Sequence, residues 1–179
     1  MHKGLAISMT NRMESLTLGL AKEYVRRLTA KGLPTELYSL TELPPNFIAE
    51  EMYGRRSAAF KPVEDAVAGA TFYLFVVPEY NGSFPGVGKA FIDAMPRDIW
   101  AGKTALLAGT ASGRFGNVRG LDHLAGVLNY LQVSVLPFRA HFPYIESNIG
   151  PHGLSPEYET EIERQLNTLF AATSSAPII

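Results

Sequence analysis

Three short polar stretches hold most of the residues able to do chemistry: TNRMES at 10–15, PEYNGSFPG at 78–86 and GTASGRFG at 109–116. The first runs into a helical pattern, and a helix start offers unpaired backbone N–H groups and the positive end of the dipole to an anion. Thr10, Ser15 and Thr17 add hydroxyls and Arg12 adds a guanidinium, a set suited to a terminal phosphate dianion. The plainer reading is that Ser15 caps the helix and Arg12 is solvated, and the residues alone leave both open. The second stretch, with its two prolines, two glycines, Asn81, Ser83 and Tyr80, is either a surface turn or a ligand cradle.

Familiar catalytic signatures are missing. No stretch has the spacing of a phosphate-binding G-x-x-x-x-G-K-[ST] loop, and the first apolar run is not followed by G-x-G-x-x-G. GTASG is one position away from a G-x-S-x-G nucleophile elbow, and His123, the nearest histidine, has no evident carboxylate partner. His2, His141 and His152 stand apart from one another, without metal-ligand spacing. The chain has no cysteine, so neither disulfides nor thiolate chemistry enter.

These stretches must be positioned by the apolar elements around them. Residues 5–9 read as a strand, and Leu16, Leu20, Ala21, Tyr24 and Leu28 recur at helical spacing until Lys31-Gly32 and Pro34 end the helix. A short outer strand is expected at 35–40, and a short helix with a loop at 47–60, where Arg55, Arg56 and Lys61 form a mildly basic patch. Pro62 opens a second helix. Residues 71–77 and 104–108 are continuous apolar runs rich in β-branched and aromatic residues, as in strands buried on both faces. Helices at 87–95, 121–131 and 156–172 and a strand at 133–136 complete an alternating pattern, with a frayed tail after 173.

Five strands alternating with helices imply an α/β fold, a parallel sheet with helices on both faces. Each polar stretch then follows the carboxyl end of a strand, where such sheets bind ligands. The 179 residues are read as one domain spanning 1–179. With 46% hydrophobic and 18% charged residues and a net charge of −1, the chain lacks the basic excess of a nucleic-acid binder. No apolar segment is long enough to span a membrane and no secretory signal is visible, so a cytoplasmic protein is expected.

The three stretches together resemble the NAD(P)H-dependent FMN reductase family, a flavodoxin-like group that includes quinone, azo-dye and chromate reductases. The most specific part is PEYNGS followed by Pro85, Gly86, Lys89, Ile92 and Asp93. The resemblance implies a flavodoxin-like three-layer sandwich with a five-stranded parallel sheet in the order 2-1-3-4-5. It implies FMN as cofactor, NADPH or NADH as co-substrate, and a small-molecule electron acceptor such as a quinone, azo compound, nitro compound or metal oxyanion. By position, Thr10, Arg12, Ser15 and Thr17 would hold the FMN phosphate. Pro78, Glu79, Tyr80, Asn81, Gly82 and Ser83 would lie along the isoalloxazine ring, and Ser112 and Gly113 would approach its pyrimidine edge; Tyr80 and Phe84 either flank the ring or simply pack beside the loop. Arg114 is either a contact for a nicotinamide-nucleotide phosphate or a solvated surface arginine. The family's homodimer or homotetramer would bring Tyr80, Phe84 and the helix of Phe91 near a partner subunit.

Two positions depart from the family pattern: Met9 stands where glycine is usual, and Glu14 replaces a small or neutral residue. A carboxylate beside a phosphate is repulsive, so Glu14 either points to solvent or weakens FMN binding. Two alternatives to the enzyme are a flavodoxin-type electron carrier and a fold relative that has lost FMN. Redox carriers that dock by charge favour strongly acidic surfaces, which this near-neutral chain lacks.

Overall fold

The computed structural model describes residues 2–53, 57–151 and 153–174. Strand β1 (Gly4–Ser8) is buried throughout; Leu5 and Ile7, with Met9 just beyond, enter one core cluster, and Ala6 enters the other. Helix α1 (Leu16–Ala30) follows, then the half-exposed strand β2 (Thr35–Ser39), and the short α2 (Phe47–Glu50) leads to α3 (Lys61–Gly69). Strand β3 (Phe72–Pro78) alternates in the same way, with Tyr73, Phe75 and Val77 on one face and Phe72, Leu74 and Val76 on the other. Helix α4 (Gly86–Ala94), strand β4 (Thr104–Thr110) and helix α5 (Val118–Tyr130) come next. The last part of the chain holds β5 (Ser134–Val135), β6 (Ala140–Phe142), α6 (Ile145–Asn148), a small β7 (Ile149–Gly150) and β8 (Gly153–Leu154) hairpin, and α7 (Pro156–Ser174).

The main sheet is parallel, in the order β2-β1-β3-β4-β5. Residues from α3, α4 and α5 share one core cluster with one face of the sheet, and residues from α1 and α7 share the second cluster with the other face. This is the expected flavodoxin-like three-layer sandwich. Burial of two apolar faces supplies its main driving force. Among the described residues no helix is long and apolar enough to cross a membrane.

The outer sheet position is more broken than the sequence pattern implies. Both β5 and β6 pair with β4: β5 lies beside Thr104 and Ala105, and β6 beside Ala108, Gly109 and Thr110. Leu136 still donates its N–H to the Ala105 carbonyl at 2.9 Å, residues 137–139 then leave the ladder, and Pro137 has no N–H to offer it. Gln165 of α7 fills the gap. Fully buried, it donates from Nε2 to the Leu107 carbonyl at 2.8 Å and accepts the Tyr24 hydroxyl on Oε1 at 2.7 Å. A buried carbonyl left out of a ladder needs such a substitute partner.

Several termini are set as the sequence implies. Ser15 caps α1, its hydroxyl oxygen accepting from the Thr17 N–H at 3.1 Å. At the other end Gly32 takes φ +85° and Leu33 N–H reaches back to the Leu28 carbonyl at 2.9 Å, closing the helix. Helix α5 starts three residues earlier than the periodicity places it. Asn117, buried and left-handed at φ 63°, accepts from Gly120 N–H and donates to the Val77 carbonyl at 3.0 Å. Arg55, Arg56, His152 and the tail beyond Ser174 lie outside the described residues. Lys61, the remaining member of the basic patch, pairs with Asp65 on its own helix.

Candidate active site

The sheet order reverses between β1 and β3, so the connections leaving these neighbouring strands diverge and open a crevice at their carboxyl ends. Two side-chain bonds span it. Thr10, after β1, bonds through Oγ1 to the Tyr80 hydroxyl at 2.7 Å, and Thr17, in the first turn of α1, bonds to Thr110 at the end of β4 at 3.0 Å. Three connections distant in sequence are thus fastened into one rim.

That rim encloses a cavity of about 190 Å³ lined by Arg12, Glu14, Ser15, Leu16, Thr17, Pro78, Glu79, Tyr80, Thr110, Ala111, Ser112, Ile145 and Glu146. Seven residues singled out from sequence therefore share it: Arg12, Ser15, Thr17, Pro78, Glu79, Tyr80 and Ser112. Thr10 is buried behind them, holding Tyr80 and accepting the Arg12 N–H at 3.1 Å. Asn81, Gly82, Ser83 and Gly113 do not line the cavity. The first three continue beyond Tyr80 on a tight turn in which Tyr80 and Ser83 exchange backbone hydrogen bonds of 2.9 and 3.1 Å. Asn81 and Gly82 take φ of 51° and 74°, the two left-handed positions of a type I′ turn, which Asn-Gly favours. Gly113 holds the Tyr144 N–H on its carbonyl at 3.3 Å. The second stretch is thus both turn and cradle wall.

Neither unusual residue of the first connection blocks the cavity. Met9 is fully buried in the core, its methyl end beneath Gly88, where an added Cβ would come within 2.6 Å of it. Glu14 is exposed at the cavity rim with φ 52°.

Other side chains singled out from the sequence find partners within the chain. Phe91 is fully buried in its own chain, stacked on Tyr38 at 5.8 Å. A helix position on an apolar stripe is first filled by the protein's own core. The Ser83 hydroxyl lies 2.8 Å from the His123 Nδ1, so α5 braces the turn. His141 bonds the Gly116 carbonyl through Nδ1 at 3.1 Å. Arg114 is exposed and lies over its neighbour Phe115, 4.5 Å from the ring centre. Among the described residues, no group of three or more His, Asp or Glu is placed to hold a metal ion.

Thr110 and Glu146 were missed. Thr110 stands inside the third polar stretch and was legible as a hydroxyl at a strand end. Glu146 had no sequence signal: it reaches the cavity because Ile145 N–H bonds the Ala111 carbonyl at 3.1 Å, folding the 143–146 segment onto the third connection. Its carboxylate accepts the Ser112 hydroxyl. That bond, aided by its own backbone N–H and the Arg12 charge, holds Glu146 below the usual carboxylate range.

The donor set fits the phosphate end of a mononucleotide: one guanidinium, hydroxyls from Ser15, Thr17, Thr110 and Ser112, and the start of a 15-residue helix.

Fold and rim together define a flavodoxin-like α/β protein with a small cavity, lined by hydroxyls and one arginine, at its topological switch point. The family model described as NADPH-dependent FMN reductase matches residues 3–143, and the chain belongs to that family. An NAD(P)H-dependent FMN reductase of Pseudomonas aeruginosa is 32% identical over 141 residues, covering 75% of this chain and 73% of the relative. A 2-hydroxy-1,4-benzoquinone reductase of a Burkholderia species is 38% identical over 92 residues, about half of each chain (49% and 50%). An FMN-dependent NADPH-azoreductase of Staphylococcus haemolyticus is 27% identical over 139 residues, covering 75% and 73%. Among solved structures, the apo form of an NADH:FMN oxidoreductase superposes with a TM-score of 0.84 at 23% identity, covering 99% of this chain and 92% of the other. The protein is an oxidoreductase of the FMN-dependent, NAD(P)H-using class.

Proposed function

We propose that the cavity between the first and third connections takes the phosphate end of FMN, and that the ring rests against residues 79–83 with its pyrimidine edge toward Ser112 and Gly113. The supporting observation is the convergence of Arg12, Ser15, Thr17 and Ser112 on one small cavity, whose mouth is bordered by a turn with two left-handed residues. When bound, FMN supplies the redox chemistry, accepting a hydride from NADPH or NADH and passing the electrons to a small-molecule acceptor. The chain's own task is positioning. Arg12 and the helix start hold the phosphate, the Thr10–Tyr80 bond fixes the turn, and backbone N–H groups near Ser112 and Gly113 face the edge where negative charge develops on reduction. Hydride transfer depends on orientation rather than on a protein acid or base, so this function needs no catalytic dyad.

We read the acceptor class as planar and unsaturated, a quinone or azo compound, from the names of the relatives, with nitro compounds and metal oxyanions as further acceptors. Arg114 is assigned to a nicotinamide-nucleotide phosphate, and the chain to a single cytoplasmic FMN-binding domain that assembles as a homodimer or homotetramer.

One experiment separates the enzyme from the two alternatives. The purified protein, loaded with FMN under anaerobic conditions, is expected to lose its yellow absorbance when NADPH or NADH is added and to regain it on addition of a benzoquinone. Colour that nicotinamide nucleotides leave unchanged points instead to an electron carrier, and protein that takes up no FMN to a relative without the cofactor.

A further inference from the structure

Glu146 is the cavity residue that the phosphate-binding role leaves unexplained. Its segment is firmly built. Tyr144 turns the chain at φ 54°, Asn148 Nδ2 ties back to the Tyr144 carbonyl at 3.0 Å, and the Tyr144 and Ile145 N–H groups bond the carbonyls of Gly113 and Ala111. The carboxylate so placed accepts the hydroxyl hydrogen of Ser112 and lines the same cavity as Arg12, whose charge acts on it. Among the described residues Arg12 is the one cation lining the cavity, against three carboxylates, Glu14, Glu79 and Glu146. Of these, Glu146 alone is hydrogen-bonded to a donor that a phosphorylated ligand would use.

We propose that Glu146 is a specificity-determining residue of the flavin site: its carboxylate competes for Arg12 and Ser112, lowers the affinity for the phosphorylated flavin, and so makes FMN exchangeable rather than permanently resident. The inference rests on the reading of the cavity as the FMN phosphate site. A phosphate dianion entering the cavity has to share the guanidinium with a fixed anion and take over the hydroxyl that the anion holds. Riboflavin, which brings no charge, meets no such penalty. Discrimination thus turns on ligand charge, while the ring contacts stay the same.

The test is a fluorescence titration of FMN and of riboflavin into flavin-free full-length protein, wild type and Glu146→Gln, at low and high salt. Glu146→Gln keeps the shape and the hydrogen-bond acceptor while removing the charge. It is expected to tighten FMN by about tenfold, the size of one screened like-charge interaction at close range, and to slow FMN release correspondingly. Riboflavin affinity should change less than about twofold, and the FMN gain should shrink in 1 M salt, where the screening length falls to about 3 Å. Wild type that binds FMN, with Glu146→Gln binding it no more tightly, overturns this proposal alone. An equal gain for riboflavin also overturns it, because the effect would then be one of shape. Failure of both proteins to bind FMN overturns the flavin site and this proposal together.

Discussion

Replacing Gln165 with leucine, of similar volume, should expose how the broken outer edge of the sheet is held. In the native protein the Gln165 side chain satisfies the Tyr24 hydroxyl at 2.7 Å and the Leu107 carbonyl at 2.8 Å, with the Phe138 carbonyl at 3.5 Å. Gln165 and Leu107 are fully buried, so water cannot replace the lost bonds. Each abandoned buried group costs roughly 1–3 kcal/mol, and the added apolar atoms recover part of it, which leaves a net loss of about 2–4 kcal/mol. For a chain of this size that corresponds to a Tm lower by roughly 5–15 °C. Urea denaturation followed by circular dichroism is the assay: the midpoint should fall with an unchanged slope. Adding Tyr24→Phe should restore part of the loss, because the hydroxyl that lacked a partner is then gone. The double variant should therefore be more stable than the sum of the two single effects by about 1 kcal/mol or more. A Gln165→Leu protein within about 0.5 kcal/mol of wild type, or strictly additive single effects, would refute the reasoning.

Arg12→Ala should weaken FMN at least about tenfold and leave riboflavin nearly unchanged in equilibrium titrations, since a charge-assisted phosphate contact is lost; equal losses for both flavins would contradict the assignment. A double-mutant cycle on Thr10→Val and Tyr80→Phe, read out as FMN affinity, should show a coupling of about 1 kcal/mol from the bond that joins the two connections. Burial, reinforced by Glu42, pushes the Tyr38 hydroxyl up to about 12, so the folded state keeps this proton where the unfolded chain releases it. The resulting stability is complete below the ordinary tyrosine value near 10 and is lost as pH rises from there toward about 12. Equilibrium unfolding across that window should show the decline, and Tyr38→Phe should make it shallower.

The buried strands were legible because two-sided burial demands unbroken apolar runs, and 71–77 and 104–108 have no other reading. The rim was legible because the three polar stretches directly follow the runs at 5–9, 71–77 and 104–108, so the topology carries them to one edge. The split of the outer strand was hidden: the sequence shows Pro137 but not that Gln165, far along the chain, supplies the missing donor. Glu146 was invisible for a similar reason, since its place depends on the left-handed Tyr144 and on backbone bonds to the third connection. The stacking of Phe91 on Tyr38 likewise depends on where α4 and β2 meet. The Ser83–His123 bond, linking residues 40 positions apart, belongs to the same class of tertiary fact.

A second, larger hollow gives the central claim a clear rival. It lies between α4 and α5, holds about 640 Å³, and is lined by Lys89, Ile92, Met95, His123, Val127 and Tyr130 among others. A crystal structure of the FMN complex therefore tests the account most directly. The account predicts the phosphate at the start of α1 beside Arg12 and Thr17, with the ring against the Tyr80–Ser83 turn. A flavin seated between α4 and α5, with the cavity at the switch point left to solvent, would contradict it.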